Sequence, residues 1–126
     1  MPKKLKEFTV SRKRWIRGED ADDGMNDSCL YRASDKKMCC LGFLARSSGA
    51  KVENIFGVMD PAESDCDSFS WPEGILDTEY EDEYRNSLIT EKLMAANDDS
   101  TLTSREREKM LRELFKAIGI KVKFVP

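Results

Sequence analysis

The chain has 126 residues, 40% of them apolar and 36% charged, with a net charge of −3. This length suits one domain, 1–126, able to bury a core without staples, and the high charge implies long solvated segments around that core. Histidine is absent, which removes the commonest general base near neutral pH and the commonest metal ligand, and no apolar run approaches the roughly 20 residues of a membrane span.

From the start, MPKKLKEF lacks the apolar stretch of a secretory signal, so free thiols in a reducing cytosol are expected. LKEFTV (Leu5 to Val10) alternates in part and carries β-formers, which predicts a strand. Ser11 is placed to cap a short helix, RKRWIR, closed by Gly18. Residues 1 to 17 set Lys3, Lys4, Lys6, Arg12, Lys13, Arg14 and Arg17 against Glu7 alone. GEDADDGMND is acidic and aperiodic, a loop. It fails as a calcium loop: with Gly24 at the turn, Ala21 occupies a ligand position and Leu30 stands where a glutamate is needed. SCLYRA (Ser28 to Ala33) reads as a strand.

Ser34 then stands where an N-cap belongs, and Met38, Leu41, Phe43, Leu44 and Ala45 lie near one another on a helical wheel. They predict a helix from Asp35 to Ser48, stopped by Gly49. Gly42 inside it costs about 1 kcal/mol of propensity, which implies that another element packs closely there. KVENIFGVMDP predicts a short helical turn tucking Ile55, Phe56 and Val58 inwards. Residues 60 to 84 form a long acidic excursion pinned by Trp71 and Ile75; Asp60 to Glu83 holds ten acids and no base, and loops of this length are usually functional or disordered.

SLITEKLMAAND (Ser87 to Asp98) predicts a helix that Asn97 could end in the left-handed conformation. Thr103 and Glu106 make a capping box for the helix SREREKMLRELFKAI, with Met110, Leu111, Leu114, Phe115 and Ile118 as its apolar stripe and Gly119 as its stop. IKVKFV (Ile120 to Val125) alternates strictly, a half-buried edge strand with Lys121 and Lys123 towards water. Together these predict a small α+β domain, with a two- to three-stranded antiparallel sheet packed against helices about 35–48 and 104–118.

Catalytic motifs are missing: there is no P-loop, no dinucleotide-binding glycine pattern and no nucleophile elbow. Cys39 and Cys40 are neighbours and would point about 100° apart on a helix, so they cannot easily share a metal. Their apolar flanks make them buried small hydrophobes, with a reactive thiol as the alternative. With Cys29 and Cys66 they match no structural zinc spacing. No metal or cofactor is expected. Asp98 and Asp99 are explained by turn and cap chemistry.

Two surfaces remain. Acids in the excursion can imitate a phosphate backbone, and its aromatic residues can anchor a protein partner; the residues concerned are Asp65, Asp67, Trp71, Asp77, Glu79, Tyr80, Glu81, Asp82, Glu83 and Tyr84. Arg12, Lys13, Arg14, Trp15 and Arg17 could instead bind nucleic acid by phosphate contacts and stacking. Against that, Trp15 and Ile16 could dock into the core, and the isoelectric point is about 5.1, low for a nucleic-acid binder.

RWIRGE, KMCCLGFLARSSG, LMAANDD and the ending REKMLRELFKAIGIKVKFV resemble a family of small uncharacterised tailed-phage and prophage proteins. The resemblance covers most of the chain outside residues 60–84 and carries no catalytic assignment. It implies an accessory protein acting in the bacterial cytoplasm. The expectation is a non-enzymatic protein that binds and modulates a host protein with a basic surface, in its sharpest version as an anti-CRISPR-like inhibitor of a defence system. Nucleic-acid binding through the basic N-terminal segment and sequestration of a small ligand are the alternatives. No membrane partner is expected, and the oligomeric state is left open.

Overall fold

The computed structural model describes residues 5–17, 29–33, 35–64, 68–77 and 85–126. The expected stop at Gly18, the acidic loop after it, the Ser34 cap, Cys66, and the acidic-segment residues Asp65, Asp67, Glu79, Tyr80, Glu81, Asp82, Glu83 and Tyr84 lie outside the described residues.

The class is α+β. Strand β1 (Glu7–Ser11) leads into a single 3-10 turn, Arg12–Arg14. Helices α1 (Cys40–Ser47) and α2 (Val52–Ile55) follow. A 3-10 turn at Pro61–Glu63 precedes two short strands, β2 (Leu76–Asp77) and β3 (Arg85–Asn86). Helices α3 (Leu88–Asp98) and α4 (Ser104–Ala117) and strand β4 (Lys121–Val125) complete it.

The two terminal strands pair with each other in parallel, Phe8 opposite Val122 and Val10 opposite Phe124. Among the described strands, the antiparallel pairing expected for the sheet is found between β2 and β3. Alternation along a strand decides which face is buried, not the direction of its partner. A connection of more than a hundred residues between β1 and β4 allows either sense. Phe8, Val10 and Val122 are buried, and the Phe8 ring meets Phe115 of α4 edge-on at 5.0 Å. Both α1 and α4 pack on the pair.

Helix α1 begins five residues later than its pattern predicts. Residues 35–39 are held instead by tertiary backbone pairing: Ile16 N–H donates to Met38 O at 2.8 Å, Met38 N–H to Arg14 O at 2.8 Å, and Cys39 N–H to Cys29 O at 3.1 Å. Those bonds satisfy the backbone groups that a helix would have used. Lys36 turns the chain at a positive φ of 59°.

The expected strand at 28–33 is likewise absent among the described residues. Tyr31 and Arg32 make single bridges, to Phe56 and Lys37. The close approach predicted at Gly42 is present, and a Cβ there would fall on the Leu30 carbonyl. Ile55 is buried and Val58 half-buried, but Phe56, expected inside, is 56% exposed and lies against Tyr31 at 6.4 Å.

The C-terminal signals hold. Thr103 Oγ1 accepts from Glu106 N–H at 3.1 Å, and the Glu106 carboxylate accepts from Thr103 N–H at 3.0 Å. Gly119, at φ 78°, ends the helix, and Leu111 and Phe115 are fully buried. Met110, placed on the same stripe, is exposed.

Candidate functional site

Cys39 is the N-cap of α1, and Cys40 opens its first turn; both are buried, as is Cys29. Burial pushes the Cys39 thiol up to about 12, with smaller opposing help from backbone N–H groups, and Cys40 is raised for the same reason. A thiolate is the reactive form, so both sulfurs sit in this fold as protonated hydrophobes. Among the described residues no three His, Cys, Asp or Glu side chains are gathered to hold a metal ion.

What holds the start of α1 is Asn97. Its Oδ1 accepts from Trp15 Nε1–H at 2.7 Å and from Cys40 N–H at 3.1 Å, while its Nδ2 donates to Ile16 O at 2.9 Å. Asn97 is fully buried inside α3. The left-handed helix end expected there is therefore corrected: the residue is helical, and its side chain serves as a tertiary cap for α1. Trp15, at 1% exposure, is locked by the same amide.

The described parts of the acidic segment are anchored on the domain. Ile75 is buried, and its carbonyl accepts from Ser87 N–H at 3.0 Å and from the Thr90 hydroxyl at 2.6 Å. Phe69 is buried against Trp71, ring centres 5.2 Å apart. Trp71 itself is half-buried, and its indole N–H donates to Ser64 Oγ at 2.7 Å. Asn86 Oδ1 accepts from Ala62 N–H at 2.9 Å. From this base Glu63 and Glu73 are exposed, and Asp60 and Asp77 are partly so. Ile75 thus pins the segment as predicted, and Trp71 spends its polar group on the segment's own base.

The basic residues of the N-terminal segment divide by task. Lys13 and Arg14 are exposed. Arg12 grips Glu108 of α4 with two hydrogen bonds, at 2.7 and 3.0 Å, and Arg112 approaches the same carboxylate at 3.5 Å. The Arg12 guanidinium holds the Glu108 carboxyl below its usual range, against the opposing effect of burial. Arg12 and Arg112 lie 6.0 and 5.2 Å from the Phe124 ring centre, and Arg17 lies 4.7 Å from that of Trp15. Phe124 and Trp15 are themselves 5.0 Å apart. Two aromatic rings and three guanidiniums therefore form one cluster drawn from β1's end, α4 and β4. Trp15 belongs to its floor, so its ring is not open to stack on a base.

Sequence reasoning missed Asn97, Glu108, Arg112 and Phe124. The only local signal for Asn97 was a carboxamide inside the apolar run LMAAN. Arg112 could have been found from the regular spacing of basic residues along α4. Among the described residues, a shallow open groove beside Phe56 is lined by Lys51, Val52 and Glu53, and no helix is long and apolar enough to cross a membrane. Comparison with known proteins finds no matching family model, no matching curated protein and no matching solved structure.

Proposed function

We propose that this chain is a non-enzymatic, phage-encoded accessory protein of the bacterial cytoplasm that binds and modulates a host protein. The binding surface is the acidic segment, residues 60–84. One observation carries the reading: the segment's described base is held by Ile75, Phe69, Trp71 and Asn86, so the exposed carboxylates of Glu63 and Glu73 are presented from a fixed platform. Ordering such a base beforehand lowers the entropy lost on binding. A surface rich in carboxylates steers association with a basic partner, and salt weakens that attraction. The phage context rests on the motif resemblance, and inhibition of a host defence system is its sharpest form.

The test is a pull-down from bacterial lysate at low and high salt, with proteins and nucleic acids both identified. A single dominant protein, released by salt and lost with Glu63→Gln/Glu73→Gln/Asp77→Asn, supports the reading. Capture that ignores salt and these substitutions sinks the mechanism.

A further inference from the structure

Helix α4 carries its exposed basic residues on one side. Arg105, Lys109, Arg112 and Lys116 follow at steps of four, three and four residues, and all four are exposed. At 3.6 residues per turn they share an arc of about 60° and run along about 16 Å of helix. The buried residues of the helix, Arg107, Glu108, Leu111 and Phe115, lie on another side. Arg112, with its side chain 51% exposed, joins this stripe to Arg12 around Phe124, and Arg17 adjoins them over the neighbouring Trp15 ring.

Among the described residues, little of the charge on this face is cancelled locally. Arg12 and Arg112 share the single Glu108 carboxylate, whose side chain is only 9% exposed. Among the described residues, no carboxylate lies within bridging distance of Arg105, Lys109 or Lys116. Glu106 belongs to the capping box at the helix start, and Glu113 flanks the stripe without joining an ion pair among the described residues. Gly74, in the acidic segment, packs against Ile118, just beyond the end of the helix. At physiological salt, charges separated by more than about 8 Å through solvent are largely screened. A net charge of −3 therefore coexists with a basic face among the described residues.

The chemistry of that face fits a phosphate backbone better than a protein. A protein partner needs a desolvated apolar or aromatic anchor, but Trp15 is buried and Phe124 has two guanidiniums against it. A nucleic-acid strand needs only regularly placed cations, and about 16 Å matches roughly five phosphates at 3.4 Å per strand. We infer that the face formed by Arg105, Lys109, Arg112 and Lys116 with Arg12 and Arg17 binds the phosphate backbone of nucleic acid without reading its sequence. This site differs from the N-terminal segment taken alone, because its main axis is α4, and it does not depend on the acidic-segment reading.

Anisotropy of labelled DNA of about 20 nucleotides, single-stranded and duplex, tests this with the full chain between about 50 and about 200 mM salt. At least one form should bind at low salt, with affinity falling steeply as salt rises. Lys109→Ala/Lys116→Ala should weaken binding about tenfold and reduce the salt slope by about two. Its melting temperature should stay unchanged, since both lysines are exposed. Failure of both DNA forms to bind at low salt overturns the inference, as does unaltered binding by the double variant. Glu63→Gln/Glu73→Gln should leave DNA binding intact, which separates this outcome from any failure of the acidic-segment reading.

Discussion

Asn97 and Glu108 both reach back from the C-terminal half to the segment that carries Trp15, and they do so in different media. Asn97 is fully buried and joins three groups that have no access to water: an indole N–H, the first amide of α1 and the Ile16 carbonyl. Glu108 is itself nearly buried, its side chain 9% exposed, but its guanidinium partners reach water, one 37% exposed and the other 51%. A neutral amide in the core is expensive to lose, because each group it leaves behind stays buried and unpaired. An ion pair near water is cheap to lose, because solvent replaces much of it. The fold thus depends on the buried junction, while the surface junction arranges charge.

Replacing Asn97 should break the buried junction most severely. Asn97→Leu keeps the branched shape but strands three polar groups, and a loss of about 3–5 kcal/mol is expected in urea unfolding. Alkylation at pH 8 sharpens the point. Cys39 and Cys40 should react in the native protein only as fast as it opens, and much faster in the variant. Next comes Gly42→Ala, whose new methyl meets the Leu30 carbonyl and the Met38 Cβ across the same helix start; about 2–3 kcal/mol of destabilisation is expected.

Thr103→Ala removes a cap that faces water, and a cost of about 1 kcal/mol should appear as a small shift in denaturation midpoint.

Smallest is Glu108→Gln, read as a pH dependence. The folded carboxyl titrates below its unfolded value because Arg12 hydrogen-bonds its charged form. Its stabilisation is therefore complete above the unfolded value, about 4.3, and is lost as pH falls through the folded one. The melting-temperature gap between native protein and variant should be widest at neutral pH and close under acid. A gap that persists at low pH would show that Glu108 acts through packing instead.

The candidate surfaces were only partly legible beforehand. The segregation of charge, with acids after Asp60 and bases before Gly18, is written in the chain. That Trp15 is floor and Arg12 a clasp was not, because both facts depend on partners 82 and 96 residues away. The α4 stripe was readable from helical spacing, but its link to Arg12 exists only once Phe124 of β4 comes between them, and to Arg17 only through Trp15 beside that ring.

Local chemistry by itself determined the C-terminal third: the capping box at Thr103, the stop at Gly119 and the alternation from Ile120 to Val125 each satisfy backbone or burial needs within a few residues. It also foresaw the tight contact at Gly42. Only the tertiary structure decided the parallel sense of β1 and β4, the late start of α1, the lone bridge of Tyr31 to Phe56, and the role of Asn97. In each of these a backbone group or side chain found its hydrogen-bond partner far along the chain. No periodicity or propensity encodes such a partner, since those signals extend over one or two turns, whereas the free energy of a buried polar group depends on whatever the completed fold places beside it.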